Sequence, residues 1–460
     1  CKGFGNNIKG STKIFTSGTE MSPLKGNLSG RCPEKHIVVS LILFPHIFFY
    51  IIALNSIIFK GLKSMELCRK VAMNNFYKRA WAEIHLDRLK YNYEICKSFL
   101  GDNTEFMAVV KANAYGHGDD AVAPYLQSLG INWFAVSNIN EAIHIRHCGI
   151  TKEILILGYI PPSYVTELLD YNIIETITGY EHAKALSDAI SDGRKLRTHI
   201  KIDTGMGRIG LRHETVSEYC DEIQKIMSLD NILVEGIFTH PPVADSDDKE
   251  DILYTETQYK LFLEIDKELK NRGVNLKHKH FANSAGATYH DCSQSTLARY
   301  GIMLYGLHPN YELKLPKPLK PVMELKTIVS HIKTIKAGDY VSYGRTYKAE
   351  KDTKIATLTI GYADGYSRLL SSKADVLING KRAKVVGRVC MDQTMVDVTG
   401  IDVKVGDTAT LFGNDGDETI TADELADIYG TIGYEVICGI SKRVPRIIID
   451  NNEIKSILEW

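Results

Sequence analysis

From residue 81 to residue 300 the chain keeps exchanging one hydrophobic period for another. Short runs that alternate every second residue give way to stretches whose apolar face recurs about every 3.6. Strands are expected at 81–86, 105–110, 133–137, 153–157, 173–177, 197–202, 233–239, 277–281 and 296–300. Helices are expected between them, among others at 87–100 with Asp87 as N-cap, 119–129, 140–147, 215–227 and 259–271. Alternation sustained this long implies a parallel sheet. About eight such units fit a closed (β/α)8 barrel, which takes about 250 residues, better than an open sheet. The short unit around 284–292 leaves the strand count open. No G-x-G-x-x-G follows the first strand, which argues against dinucleotide binding.

After Pro316-Lys317-Pro318 the texture changes to β-rich segments separated by Gly, Asn and Asp turns. The fold class is therefore α/β: a TIM-type barrel over 73–320 followed by a mainly β C-terminal domain over 321–460. Residues 1–72 differ from both. They carry ten Lys/Arg against three Asp/Glu, net +7, and leave −8 for residues 73–460. The run 36–59 is almost wholly apolar and about long enough to cross a bilayer, although Pro45, His46 and Asn55 interrupt it. Met73 is followed at once by NNFYKRAWAEIHLDRL, which enters the first strand, so 1–72 is either translated upstream sequence or a leader, or it anchors the chain in a membrane.

With 55 basic and 56 acidic residues the whole chain is nearly neutral, which excludes the basic field of a nucleic-acid binder. The nine cysteines are scattered and never form CxxC. Neither a disulfide framework nor a thiolate zinc site is expected, no metal is implied, and a reducing, cytoplasmic compartment follows.

In a barrel, reactive groups belong at the carboxyl ends of strands. Lys111 ends one strand and runs into Ala-Asn-Ala-Tyr115-Gly-His117-Gly. A lysine there can have a depressed pKa and attack an aldehyde, though a lone lysine is more often solvated. Lys201 and Arg208 follow another strand, Ser284 and Arg299-Tyr-Gly301-Ile302 two later ones. Singly these are ordinary ion pairs or turns; together they make a cationic mouth for a phosphate and a carboxylate.

In order, AVVKANAYGHG, KIDTGMGRIG, HFANSAG, RYGIMLYG, SYGRTY, IGYADGY, GRVCMDQ and YEVICGISKRVPR resemble the motifs of the alanine racemase family. The resemblance spans essentially 73–460. It implies a pyridoxal 5'-phosphate isomerase that interconverts L- and D-alanine for peptidoglycan synthesis in the cell wall. Lys111 would carry the cofactor as an aldimine and serve as one acid/base group. Tyr115, Ser284, Gly301, Ile302 and Tyr434 would hold the phosphate. Tyr343, from the other subunit of a homodimer, would be the second base, because racemisation needs proton transfer on both faces. Arg299, oriented by His280, would bind the pyridine nitrogen. Arg208 would contact the substrate carboxylate, positioned by Lys201, which many members carry carbamylated. Met391 and Asp392 would complete the partner's wall.

One departure stands out: the family's His-Phe-Ala is here His240-Pro241-Pro242. His240 is either a supporting group near the site or an ordinary loop histidine. Two other readings compete with the alanine enzyme. A membrane-anchored serine/alanine racemase would use the apolar run, but such enzymes have Asn at the position of Tyr434. A non-catalytic pyridoxal-phosphate carrier, or more distantly a decarboxylase, shares the barrel, but carriers lack the second domain.

Overall fold

In the computed structural model of the protein, residues 79–310 and 314–459 are described. The apolar run 36–59 and the start expected at Met73 lie outside the described residues.

The first described strand, β1 (Ala80–His85), is followed by eight parallel strands: β2 (Glu105–Val109), β3 (Trp133–Val136), β4 (Glu153–Ile156), β5 (Glu175–Ile177), β6 (Leu196–Lys201), β7 (Ile232–Phe238), β8 (His278–His280) and β9 (Leu297–Tyr300). They pair as β9-β2-β3-β4 and β5-β6-β7-β8. Parallel bridges Leu155–Ile174 and Ala282–Ala298 join the two arcs into a closed eight-stranded barrel. The short unit is real, a six-residue helix Ser284–Tyr289 between β8 and β9.

The strand expected to open the barrel does not belong to it. β1 pairs antiparallel with β10 (Met323–Ile335) and parallel with Arg446–Asp450 in a ten-stranded sheet. The physical reason is twofold. The barrel closes through β2 and β9, leaving no edge for β1, and Lys326 on β10 takes the Glu83 carboxylate at 2.6 Å. The following helix, Leu86–Lys97, is capped at His85, so Asp87 sits in its first turn rather than at its N-cap. On that helix Asn92 bonds the Leu304 and Lys320 carbonyls and the Lys320 N–H, tying it to the connection between the two modules.

β10 is the long strand of the second module and pairs on its far side with Thr353–Leu358 and Thr408–Asp415. A small hairpin, β11 (Tyr340–Val341) and β12 (Tyr347–Lys348), projects from this region with Tyr343 in its turn. One apolar core runs from the barrel into the large sheet. Among the described residues no helix is long and apolar enough to cross a membrane.

Candidate active site

Lys111 leaves the end of β2 into a left-handed turn. Ala112, Asn113, Ala114 and Tyr115 have φ of 54°, 56°, 52° and 53°. Side chains disfavour that region by roughly 1–2 kcal/mol per residue, so neighbours must hold the turn. Glu141, on helix Ile139–His147, accepts the Ala112 N–H at 2.9 Å and the Ser137 N–H at 2.7 Å. Gly116 abuts the helix Gly433–Cys438: a Cβ there would lie 2.3 Å from the Ile437 carbonyl oxygen. The buried guanidinium of Arg446 donates to the Gly116 carbonyl at 2.9 Å. Held in this way, the Lys111 amine faces the barrel mouth. Burial and the nearby Arg208 push its pKa down, with Glu141 opposing.

Two later strand ends form a small polar cradle. The Gly301 N–H donates to Ser284 Oγ at 3.0 Å. A Cβ on Gly301 would come within 2.5 Å of Tyr115 Oη, so only glycine lets backbone, hydroxyl and phenol converge. Tyr434 closes the same side, its ring centre 6.4 Å from that of Tyr115. Ile302 lies buried behind Gly301.

Arg299, 4% exposed at the end of β9, is held through both of its terminal nitrogens. It donates to His280 Nδ1 at 3.0 Å, the His280 carbonyl at 3.1 Å and the Thr239 carbonyl at 2.8 Å. Since arginine only donates, His280 Nδ1 accepts, and the ring proton of neutral His280 lies on Nε2. That proton points at His199 Nδ1, 3.0 Å away. Burial, then Arg299, holds His280 well below the usual histidine range, so the ring is neutral. Burial also lowers Arg299 to about 10, which still leaves it charged at neutral pH.

His240 is not an ordinary loop histidine: its Nδ1 lies 3.3 Å from Arg299 Nη2, despite the prolines that follow. Burial and Arg299 push it to about 2, so it accepts as a neutral ring. Lys201, 2% exposed at the end of β6, donates to the Ile202 carbonyl at 2.7 Å. Burial and Arg299 lower it to about 7, leaving a large neutral-amine fraction at physiological pH. Arg208 follows in a loop shaped by Asp203, whose Oδ1 accepts the Gly205 and Gly207 N–H groups.

These side chains line a cavity of about 680 Å³ at the carboxyl ends of the strands. It gathers Lys111, Tyr115, Lys201, Arg208, Ser284, Arg299, Gly301, Ile302 and Tyr434, with His240 beside them; His280 stands behind Arg299. The site fits a pyridoxal phosphate by its own chemistry. A primary amine with lowered pKa stands between a glycine cradle for phosphate and a guanidinium for a ring nitrogen.

Tyr343, Met391 and Asp392 are not among the cavity's lining residues. Tyr343 is 70% and Met391 53% exposed. Their segments are linked: Ser342 Oγ donates to the Arg388 carbonyl, and Ala363 N–H to the Met391 carbonyl. Asp392 pairs with Arg443 at 2.8 Å and with Arg79 at 3.6 Å.

Three supporting groups escape sequence reading. Asn138-x-x-Glu141 reads as a capping box; Asn138 does cap, but the Glu141 carboxylate turns to the Lys111 turn. His199 is one polar residue in a buried strand, and Arg446 finds its partner 330 residues away.

Comparison with known proteins bears on this arrangement. A family profile described as "Alanine racemase, N-terminal domain" matches residues 84–309, and one described as "Alanine racemase, C-terminal domain" matches 322–448. Alanine racemase 1 of Clostridium acetobutylicum is 46% identical over 383 residues, covering 83% of this chain and 98% of that relative. The structure of alanine racemase from Bacillus anthracis with bound L-Ala-P superposes with a TM-score of 0.79 at 38% identity, covering 84% of this chain and 98% of that one. A histidine racemase from Leuconostoc mesenteroides superposes with a TM-score of 0.74 at 30% identity, covering 82% and 99%.

Proposed function

The chain belongs to the alanine racemase family, and on that premise we propose that it interconverts L-alanine and D-alanine with Lys111 and a partner's Tyr343 as the two proton-transfer groups. Its cofactor is pyridoxal 5'-phosphate. Bound in the cavity, the cofactor supplies a sink for the electron pair left when the Cα–H bond breaks.

The observation that carries the assignment is the lowered pKa of Lys111 inside the cationic mouth. A neutral amine at Nζ accepts the α-proton from one face and, protonated, returns it to that face. The opposite face needs a second group, and Tyr343 Oη, exposed on the single chain, takes that role from a second copy. Met391 and Asp392 would arrive with it as the far wall. Ser284, Tyr115, Tyr434, Gly301 and Ile302 hold the phosphate end. Arg299 donates a hydrogen bond to the ring nitrogen but keeps its proton, since even at about 10 it remains charged at neutral pH. This limits how far electron density is drawn from Cα and favours return of the proton there. Arg208 binds the substrate carboxylate. Lys201, mostly amine just above neutrality, is set up to take carbon dioxide and become an anionic carbamate beside Arg208.

The likeness to a histidine racemase shows that the fold does not fix the side chain handled. Tyr434 supports alanine here: its bulk narrows the cavity against a hydroxymethyl group, although sterics alone reject one hydroxyl weakly. The reaction supplies D-alanine for peptidoglycan and runs in the cytoplasm, where the free thiols of Cys96, Cys220 and Cys390 persist. The test is purified protein with pyridoxal phosphate, following loss of optical rotation of L-alanine and, separately, L-serine. Loss with alanine and little with serine is expected. Equal rates would favour the serine/alanine reading, and no loss with either would return the chain to the carrier or decarboxylase classes.

A further inference from the structure

Beside the Lys111 turn, but outside the cavity, two helices bring four donor groups together. Asp119 and Asp120 open helix Asp119–Ser128, and His144 and Cys148 stand one turn apart at the end of helix Ile139–His147. His144 Nε2 lies 3.2 Å from Asp119 Oδ1 and 3.2 Å from Asp120 Oδ1. Cys148 Sγ lies 3.6 Å from Asp120 Oδ1 and 3.7 Å from His144 Nε2.

These spacings are the edges of a metal-centred tetrahedron. With metal–nitrogen and metal–oxygen bonds of about 2.1 Å and a metal–sulfur bond of about 2.3 Å, nitrogen and oxygen sit about 3.4 Å apart and sulfur about 3.6 Å from either. The donor atoms of Asp120, His144 and Cys148 all lie within 4.8 Å of one another.

Charge provides a second, independent observation. Asp119 and Asp120 are paired with His144 and with no lysine or arginine among the described residues. Glu141 adds a further negative charge near the pair. The cluster Glu83, His85 and Glu324 on the large sheet is the instructive contrast. Its donors also converge, but Lys326 and Arg88 lie at 2.6 to 3.0 Å from its carboxylates and supply the positive charge. At Asp120 no such lysine or arginine is present among the described residues.

We propose that Asp120, His144 and Cys148 bind a divalent cation of the zinc type, with Asp119 or water as the fourth ligand. Thiolate and imidazole together select such an ion over magnesium or calcium. On binding, the sulfur–metal bond forms as the thiol proton passes to the buffer. The ion would brace the cofactor lysine's turn from two sides. Glu141, one turn before His144, accepts the Ala112 N–H, and the Asp119 N–H donates to Asn113 Oδ1 at 3.0 Å.

The experiment uses tag-free, pyridoxal-phosphate-loaded full chain, stripped with chelator and titrated with Co²⁺. One cobalt per chain is expected, with a thiolate charge-transfer band in the near ultraviolet and visible bands of tetrahedral intensity, all displaced by Zn²⁺. Cys148→Ser should abolish the charge-transfer band and weaken binding by more than about 100-fold, beyond the usual loss for a supporting group. Zn²⁺ should raise the Tm of the native protein and not of the variant. His144→Gln serves if Cys148→Ser does not fold, and must weaken binding likewise. A protein that retains no cobalt, or a thiolate band that survives Cys148→Ser, overturns the site. Neither readout depends on racemisation.

Discussion

The barrel mouth and the Tyr343 hairpin are opposite kinds of surface. At the mouth, Arg299 and Lys201 are buried, and both terminal nitrogens of Arg299 have acceptors. Around the hairpin, Tyr343 and Met391 stand in the open. Burial shifts the pKa values of the mouth and prepares its lysines for proton transfer. The hairpin gains a comparable environment only when another surface covers it. On the proposed two-base reading, one chain holds half of the reaction and a second copy supplies the other half.

The comparison breaks most sharply at Lys111. Lys111→Ala should lower racemisation by about 10⁴-fold or more, because it removes both attachment and a proton-transfer group; a coupled D-alanine assay reads this directly. Tyr343→Phe should cost about 10²–10⁴-fold and affect α-proton exchange of one enantiomer more than the other. Equal loss for both would sink the two-base assignment. Mixing the two inactive variants after mild dissociation sharpens the point. Random pairing makes half the dimers mixed with one intact site each, so about a quarter of native activity should return. No recovery would mean that Lys111 and Tyr343 do not meet across an interface.

Lys201 tests the buried side alone. Its pKa falls to about 7 in the folded chain, against about 10.4 unfolded. The cost of burying its charge is fully present below about pH 7, fades as pH rises toward about 10.4, and vanishes above. In carbon-dioxide-free buffer, Lys201→Met should raise stability by a few kcal/mol near about pH 6 and by nothing near about pH 11. A pH-independent gain would refute the buried ammonium. The smallest effect belongs to His240→Phe. It removes one 3.3 Å contact to Arg299, worth about 1 kcal/mol, so kcat/KM should fall several-fold while Tyr343 chemistry is untouched.

Much of this architecture is legible in the sequence. The period changes located all eight barrel strands, and the strand-end motifs named the lining of the cavity. What escaped depends on contacts remote in sequence. β1 has the texture of a barrel strand, and only pairing with β10, some 240 positions later, moves it to the other sheet. Glu141 carries no local mark of its role, because a carboxylate near a helix start serves equally for its own helix or for a neighbouring turn. His240 was ambiguous because prolines constrain the backbone after it but say nothing of Arg299. Residues that touch the reacting groups carry strong local motifs, whereas those that hold them in place are spread along the chain.

The left-handed turn after Lys111 has a consequence for how the protein is made. Four consecutive side-chain-bearing residues at positive φ cost roughly 4–8 kcal/mol in isolation. Two of the groups that hold the turn, the helix Gly433–Cys438 and Arg446, lie more than 300 positions later in the sequence. A chain emerging from the ribosome exposes its barrel strands long before that stretch exists. The turn after Lys111 thus gains these supports only once residues 433–446 have been made, some 330 positions after the turn itself.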